Sequence, residues 1–286
     1  MTQAADAQQY RYWNSAIATS WVTLQERLDR LFRQFSDAAL ANAAPAPGEY
    51  VIDVGCGCGG TTLVLARAVG AGGHVHGVDI SGPMLAHAAE RAATAGLGNV
   101  QFTLGNAAIH PFPSGCADLI FSRLGAMFFG DPLAAFANLR ASLKPGGRMV
   151  LAVPRTAAEN RYLGVAVQAA RPLLPPDAIV STTPNQPGMF SLADPERVRS
   201  ILTEAGFRDV VLSPLDLSMQ MGATPGDAAE FSTQFGPVAT ALENATIGLR
   251  ERVVAAIAKT YADIERPDGV LLAGAFWIVT ARAAMD

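Results

Sequence analysis

The chain has 286 residues, with 21 Lys and Arg against 25 Asp and Glu, for a net charge of −4. Half of its residues are hydrophobic and 16% are charged, which excludes a disordered chain and suits one large folded unit or two small ones. The acidic balance, without any basic run, excludes a protein that grips nucleic-acid phosphates, and no apolar stretch reaches the roughly 18–20 residues that span a bilayer.

The first twenty residues lack a basic segment followed by an apolar one, so no secretory signal is expected. Three cysteines, two of them in one Gly-rich loop, make no disulfide framework, and the reading is a reduced, cytoplasmic protein. Residues 16–41 carry Ile17, Trp21, Leu24, Leu28, Leu31, Phe32, Phe35 and Leu40 at helical spacing, which predicts an amphipathic helix. The turn residues of PAPGE (45–49) end it. From Tyr50 strands and helices alternate. Strands are expected at 50–54, 74–80, 99–105, 117–123 and 148–154. Helices fall at 61–69, at 83–95 with Ser81 as N-cap and Pro83 in the first turn, and at 132–143. This rhythm predicts an α/β fold with a mostly parallel, doubly wound sheet.

After Pro154 the rhythm breaks. Pro172, Pro175, Pro176, Pro184 and Pro187 make residues 155–193 an irregular, partly helical insertion. A helix at 195–205 and a strand at 207–213 follow. Residues 216–268 form a second insertion, helical over 225–265 with a break at Gly236-Pro237, before a last strand at 270–282. The expected organisation is a helical lid over 1–44 and a seven-stranded domain over 45–286 that carries both insertions. Insertions that follow sheet strands lie where a substrate cover sits.

The sharpest motif is VIDVGCGCGG (51–60), between a strand and a helix. Gly55, Gly57 and Gly60 satisfy G-x-G-x-x-G, which lets the backbone turn tightly and approach a ligand. Asp79 ends the next strand, where a carboxylate accepts hydrogen bonds from ribose hydroxyls. Two cofactors fit: a nicotinamide dinucleotide and S-adenosylmethionine. Asp53, just before the loop, opposes a pyrophosphate and favours a sulfonium and an ammonium. The chain also has no Tyr followed four residues later by Lys, which counts against an oxidoreductase.

DVGCGCG (53–59), GVDIS (77–81), GNA (105–107), DLIFSR (118–123) and LKPGGRMVL (143–151) together resemble the class I S-adenosylmethionine-dependent methyltransferases. Within that class the chain looks nearest to small-molecule enzymes resembling the ubiquinone/menaquinone C-methyltransferases. The resemblance implies a Rossmann-like fold, S-adenosyl-L-methionine as cofactor and a small-molecule methyl acceptor. It implies that Asp53, Gly55, Cys56 and Gly57 face the methionine part, that Asp79 binds the ribose and that Ile80 packs on the adenine. Asn106 stands where the family often has an Asp that reads the adenine amino group, and Ala107 adds its backbone. Arg123 points toward the methyl-transfer region.

Other residues admit two readings. Cys56 and Cys58 are read as small loop residues rather than metal ligands. His110 is the candidate general base, set against a loop histidine that bonds backbone carbonyls. Met127 and Phe128 follow the fourth strand, where an acceptor would enter. Tyr12 and Trp13 belong to an N-terminal aromatic cluster that either covers the site or caps the sheet or a dimer contact. The reaction expected is in-line methyl displacement onto an O, N or C atom of a largely apolar metabolite, governed by positioning. The alternative is a protein that binds S-adenosylmethionine without transferring methyl. Neither nucleic acid nor membrane is expected as a partner, and a homodimer stays open.

Overall fold

The structure is a computed structural model and describes residues 2–179 and 186–285. Alternating burial in the central strands sets its architecture. Val51, Leu119, Phe121 and Val150 turn into one apolar cluster, whereas Ile52, Val54, Ile120 and Leu151 turn into another. Strands buried on both faces need helices on both faces, and that is the setting of a parallel sheet.

Four helices come first: α1 (Thr2–Trp13), α2 (Ala16–Thr23), α3 (Gln25–Leu31) and α4 (Arg33–Ala43). The alternating part follows as β1 (Tyr50–Val54), α5 (Gly60–Val69), β2 (His74–Asp79), α6 (Gly82–Thr94), β3 (Val100–Leu104), β4 (Ala117–Arg123), α7 (Pro132–Ser142) and β5 (Leu143–Pro154). Then come α8 (Arg161–Ala170), α9 (Pro195–Glu204), β6 (Arg208–Gly222), α10 (Pro225–Ser232), α11 (Pro237–Ala241), α12 (Ile247–Ala262) and β7 (Val270–Arg282). The seven strands lie in the order β3-β2-β1-β4-β5-β7-β6, with β7 antiparallel to both neighbours. The order reverses between β1 and β4, and a ligand crevice forms outside the carboxyl ends of strands at such a point.

Two expectations need correction. The single helix read over 16–41 is three helices, because the chain leaves helical geometry at Leu24 (φ −92°, ψ 6°) and at Phe32 (φ −95°, ψ 8°). Helix α1 precedes them, although it has no buried apolar stripe to announce it. Strand β6 runs through Gly222, past residue 216 where the second insertion was expected to start. Pro214 reads as an end to the strand, but β6 is an edge strand, and a proline is tolerated there. The predicted helical stretch 225–265 is present as α10 to α12, with Gly236 at a positive φ of 79° between the first two. Residues 180–185 of the first insertion, Pro184 among them, lie outside the described residues.

Side chains tie the added parts to the sheet. Helix α4 buries Phe32, Phe35, Ala39 and Ala43, and Phe35 stacks on Phe276 of β7 at 4.0 Å. Arg148, from the LKPGGR segment, closes the end of α4: its Nε donates to Ala43 O at 2.7 Å while its guanidinium pairs with Glu49 at 2.7 Å. Asn160 is 1% exposed; it accepts from Ala275 N at 2.9 Å and donates to Ala275 O at 3.0 Å, which pins the first insertion to β7.

Candidate active site

A cleft of about 1010 Å³, partly open to solvent, lies at the carboxyl ends of β1, β2 and β4. Its floor is the glycine loop. Gly55 has φ 67°, and a Cβ there would come within 2.6 Å of Gly125 Cα, so the turns after β1 and β4 meet backbone to backbone. Gly57 N donates to Asp79 Oδ2 and Ser81 N donates to Asp79 Oδ1, both at 2.8 Å. The carboxylate is thereby aimed at the cleft, and further lone pairs stay free. Burial pushes the Asp79 carboxyl up from its ordinary pKa, and the backbone bonds work against that.

A second carboxylate lies under the loop. Asp53 is wholly buried; its Oδ2 accepts from Thr61 at 3.0 Å and from Thr62 at 2.6 Å, and its Oδ1 has no partner. Burial raises its pKa to about 6, against the two threonine bonds and the nearby Arg123. A third carboxylate lines the cleft from α3. A Cβ on Gly60 would come within 2.6 Å of Asp29 Oδ1. Arg91 Nη2 holds Asp29 Oδ2 at 2.8 Å, Gln25 donates to the same oxygen, and Arg91 also donates to Cys58 O.

The start of α5 thus has carboxylates on both sides. A helix N-terminus normally draws a phosphate, but here Asp29 and Asp53 take that field. Arg123 is the only basic residue among the described lining residues. It donates to Ser36 at 2.8 Å, lies 5.6 Å over the Phe32 ring, and its Nε has no partner. The donor set fits a sulfonium with an amino-acid tail and a ribose, and it does not fit a pyrophosphate. S-adenosylmethionine fits on those grounds: Asp79 for the ribose hydroxyls, the glycine loop for close approach, and an acidic surround for the positive charge.

Comparison with known proteins agrees. A family described as a methyltransferase domain matches residues 45–206, more than half of the chain. The chain belongs to that methyltransferase family. Nocamycin O-methyltransferase of Saccharothrix syringae is 35% identical over 185 residues, covering 63% of this chain and 66% of that protein. Demethylmenaquinone methyltransferase of Geobacillus kaustophilus is 35% identical over 103 residues, covering 36% of this chain and 44% of that protein. The chain therefore spans less than two thirds of these curated relatives. The YcgJ protein of Bacillus subtilis has a similar fold, with a TM-score of 0.57 and 18% identity, covering 88% of this chain and 99% of that one.

In this chain the cleft brings together Gly55, Cys56, Gly57, Asp79, Ile80, Asn106, Ala107 and Arg123 of the expected cofactor set, with Trp13 and Phe128 of the expected acceptor set. Asn106 Oδ1 accepts from Ala108 N at 3.0 Å in a local turn and keeps a second lone pair. Four residues fall elsewhere. Asp53 lies beneath the floor. Met127 is core, at 2% exposure. Tyr12 turns its hydroxyl to Thr240 at 3.4 Å. His110 does not line the cleft: its ring packs on Phe112 at 4.5 Å and on His76 at 5.7 Å, so the candidate base is set aside from the site. Burial favours the neutral thiol at both loop cysteines, pushing Cys58 up to about 12 and Cys56 well up.

Sequence reasoning missed the polar residues of the helical wall: Asp6 and Gln9 on α1, and Gln25 and Asp29 on α3. Asp6, Gln9 and Trp13 recur at i, i+3 and i+7, so they share one face. That spacing was a signal, but it concerned polar residues in a segment weighed for apolar periodicity.

Proposed function

We propose that this protein transfers a methyl group from S-adenosylmethionine to a small, largely apolar acceptor. The observation that carries the reading is the pair of carboxylates, Asp29 and Asp53, at the start of α5, where a pyrophosphate binder needs an open positive field. Bound S-adenosylmethionine supplies an electrophilic methyl group on a sulfonium. Asp79 would hold the ribose hydroxyls, Ile80 and Ala107 would give the adenine an apolar seat, and Arg123 would lie nearest the acceptor end. Trp13, Trp21, Leu124, Phe128 and Phe129 give that end an apolar wall, which keeps water out and aligns a flat acceptor. The name of the nocamycin enzyme supports an oxygen acceptor. Without a histidine among the described lining residues, rate comes from alignment rather than from a positioned imidazole.

That same feature favours a second reading, in which the cofactor binds without methyl transfer. Calorimetric titration with S-adenosylmethionine, S-adenosylhomocysteine and NAD(H) tests the cofactor. Micromolar binding of the first two alone is expected, and Asp79→Ala should weaken it by about 1–3 kcal/mol. Binding of NAD(H) in their place would overturn the reading. Release of S-adenosylhomocysteine in the presence of aromatic and quinone-like acceptors then separates transfer from binding alone.

A further inference from the structure

Helix α6 starts beside the cofactor site, and its cap is unusual. The first N–H groups of a helix have no partner within it and are met by a neighbouring side chain. Ser81 occupies the N-cap position, yet its side chain makes no cap bond and its buried Oγ has no partner. The Gly82 N–H is met instead by Asn14 Oδ1 at 3.1 Å, from the turn between α1 and α2. The same amide donates from Nδ2 to Ile80 O at 2.9 Å and to Tyr10 O at 2.8 Å. One side chain therefore joins the last turn of α1 to the loop that follows Asp79.

Little else fixes α1. None of its described residues is buried, and it touches the rest through the Trp13 ring, 5.1 Å from Phe128 and 5.8 Å from Trp21, and through the Tyr12 hydroxyl bond to Thr240. Yet α1 carries Asp6, Gln9 and Trp13, which wall the cleft on the side facing the glycine floor. Asn14 bonds on either side of Ser81, whose N–H orients Asp79.

We propose that Asn14 is a positioning residue of the cofactor site: it latches the covering helix α1 onto the Asp79 loop, so that a bound cofactor leaves slowly. The inference rests on the S-adenosylmethionine reading above. Asparagine suits the task because one terminus donates to two carbonyls while the other accepts from an N–H. An aspartate there keeps the acceptor for Gly82 and suits a helix N-terminus, but it loses both donors. It therefore separates the cap from the latch.

The test uses the whole chain. Dissociation of S-adenosylhomocysteine is followed by tryptophan fluorescence, and amide exchange of Tyr10 to Asn14 is measured without ligand. Asn14→Ala should raise the off-rate about tenfold, since each net hydrogen bond corresponds to a roughly twofold to tenfold change. Asn14→Asp should keep the wild-type melting temperature and still raise the off-rate and the exchange of α1. A purely structural cap would leave both readouts of Asn14→Asp at the wild-type level, and that result overturns the latch. Wild-type protein that fails to bind S-adenosylhomocysteine overturns the cofactor reading as well; normal wild-type binding with unchanged variants overturns the latch alone.

Discussion

The floor of the cleft and the helical wall above it are held by different means. The floor is held mostly by backbone: Gly55 meets Gly125, and the buried Ser122 hydroxyl joins the two turns, donating to Val54 O at 2.8 Å while accepting from Ala126 N at 3.0 Å. The wall is held by side chains: Asn14 on the Asp79 loop, Asp29 on Arg91, and Arg27 on Asp227 at 2.8 Å and over the Phe231 ring at 4.2 Å. Backbone contacts fix one geometry, whereas tethers of a few hydrogen bonds open at a cost well below global unfolding. The difference teaches that α1, which buries none of its described residues, is the part of the cleft wall held by side-chain tethers rather than by the core, whereas α3 seats Leu28 and Leu31 in it.

The contrast can be broken by experiment. The largest effect is expected from Gly55→Ala. The new Cβ has no space against Gly125, and φ 67° disfavours any side chain, so the loss of stability should be about 2–5 kcal/mol in urea unfolding. A variant as stable as wild type would show that the floor yields as the wall does. Asp53→Asn probes the layer beneath. Its carboxyl has a folded pKa of about 6 against an ordinary 3.8, so between these values the folded chain binds more protons than the unfolded one. Stability from this group therefore falls as pH rises through that window. Between pH 4.5 and pH 7.5 the gap between variant and wild type should shift in favour of the variant by about 2 kcal/mol. His76, which burial lowers to about 4, has the opposite dependence in both proteins and cancels in the difference. A constant gap would mean that Asp53 titrates alike in the folded and unfolded chain and that burial does not raise its pKa. The smallest effect is expected at His110, which lies on neither side of the cleft. His110→Ala should change turnover less than about twofold, whereas a hundredfold loss would return the role of base to it.

The floor was legible and the wall was not, for physical reasons. Strand–glycine–helix punctuation is local, so VIDVGCGCGG and the acid at 79 announce the turn and the carboxylate beside it. The wall depends on which residues meet after folding. Nothing in residues 16–41 announces the breaks at Leu24 and Phe32, because neither is a glycine or a proline; packing decides them. His110 looked near the site in sequence, but the chain after β3 folds its ring back onto His76 and Phe112. Ser81 had the right residue type for a cap, and a side chain 67 positions earlier (81 − 14) took the bond. The alternation of Leu215, Leu217, Met219 and Met221 with polar neighbours is legible in the sequence, and it extends β6 beyond Pro214.

The stacking of Phe35 on Phe276 has a consequence for how the chain is made. The two rings are 276 − 35 = 241 residues apart, so α4 finds this seat only when β7 has also been made. At roughly 5–20 residues per second, Phe32 and Phe35 stay uncovered for on the order of ten seconds or more during synthesis. Contacts of such long sequence separation also slow spontaneous refolding. The nascent N-terminal helices are therefore the segment on which a chaperone holding exposed aromatic surface would act.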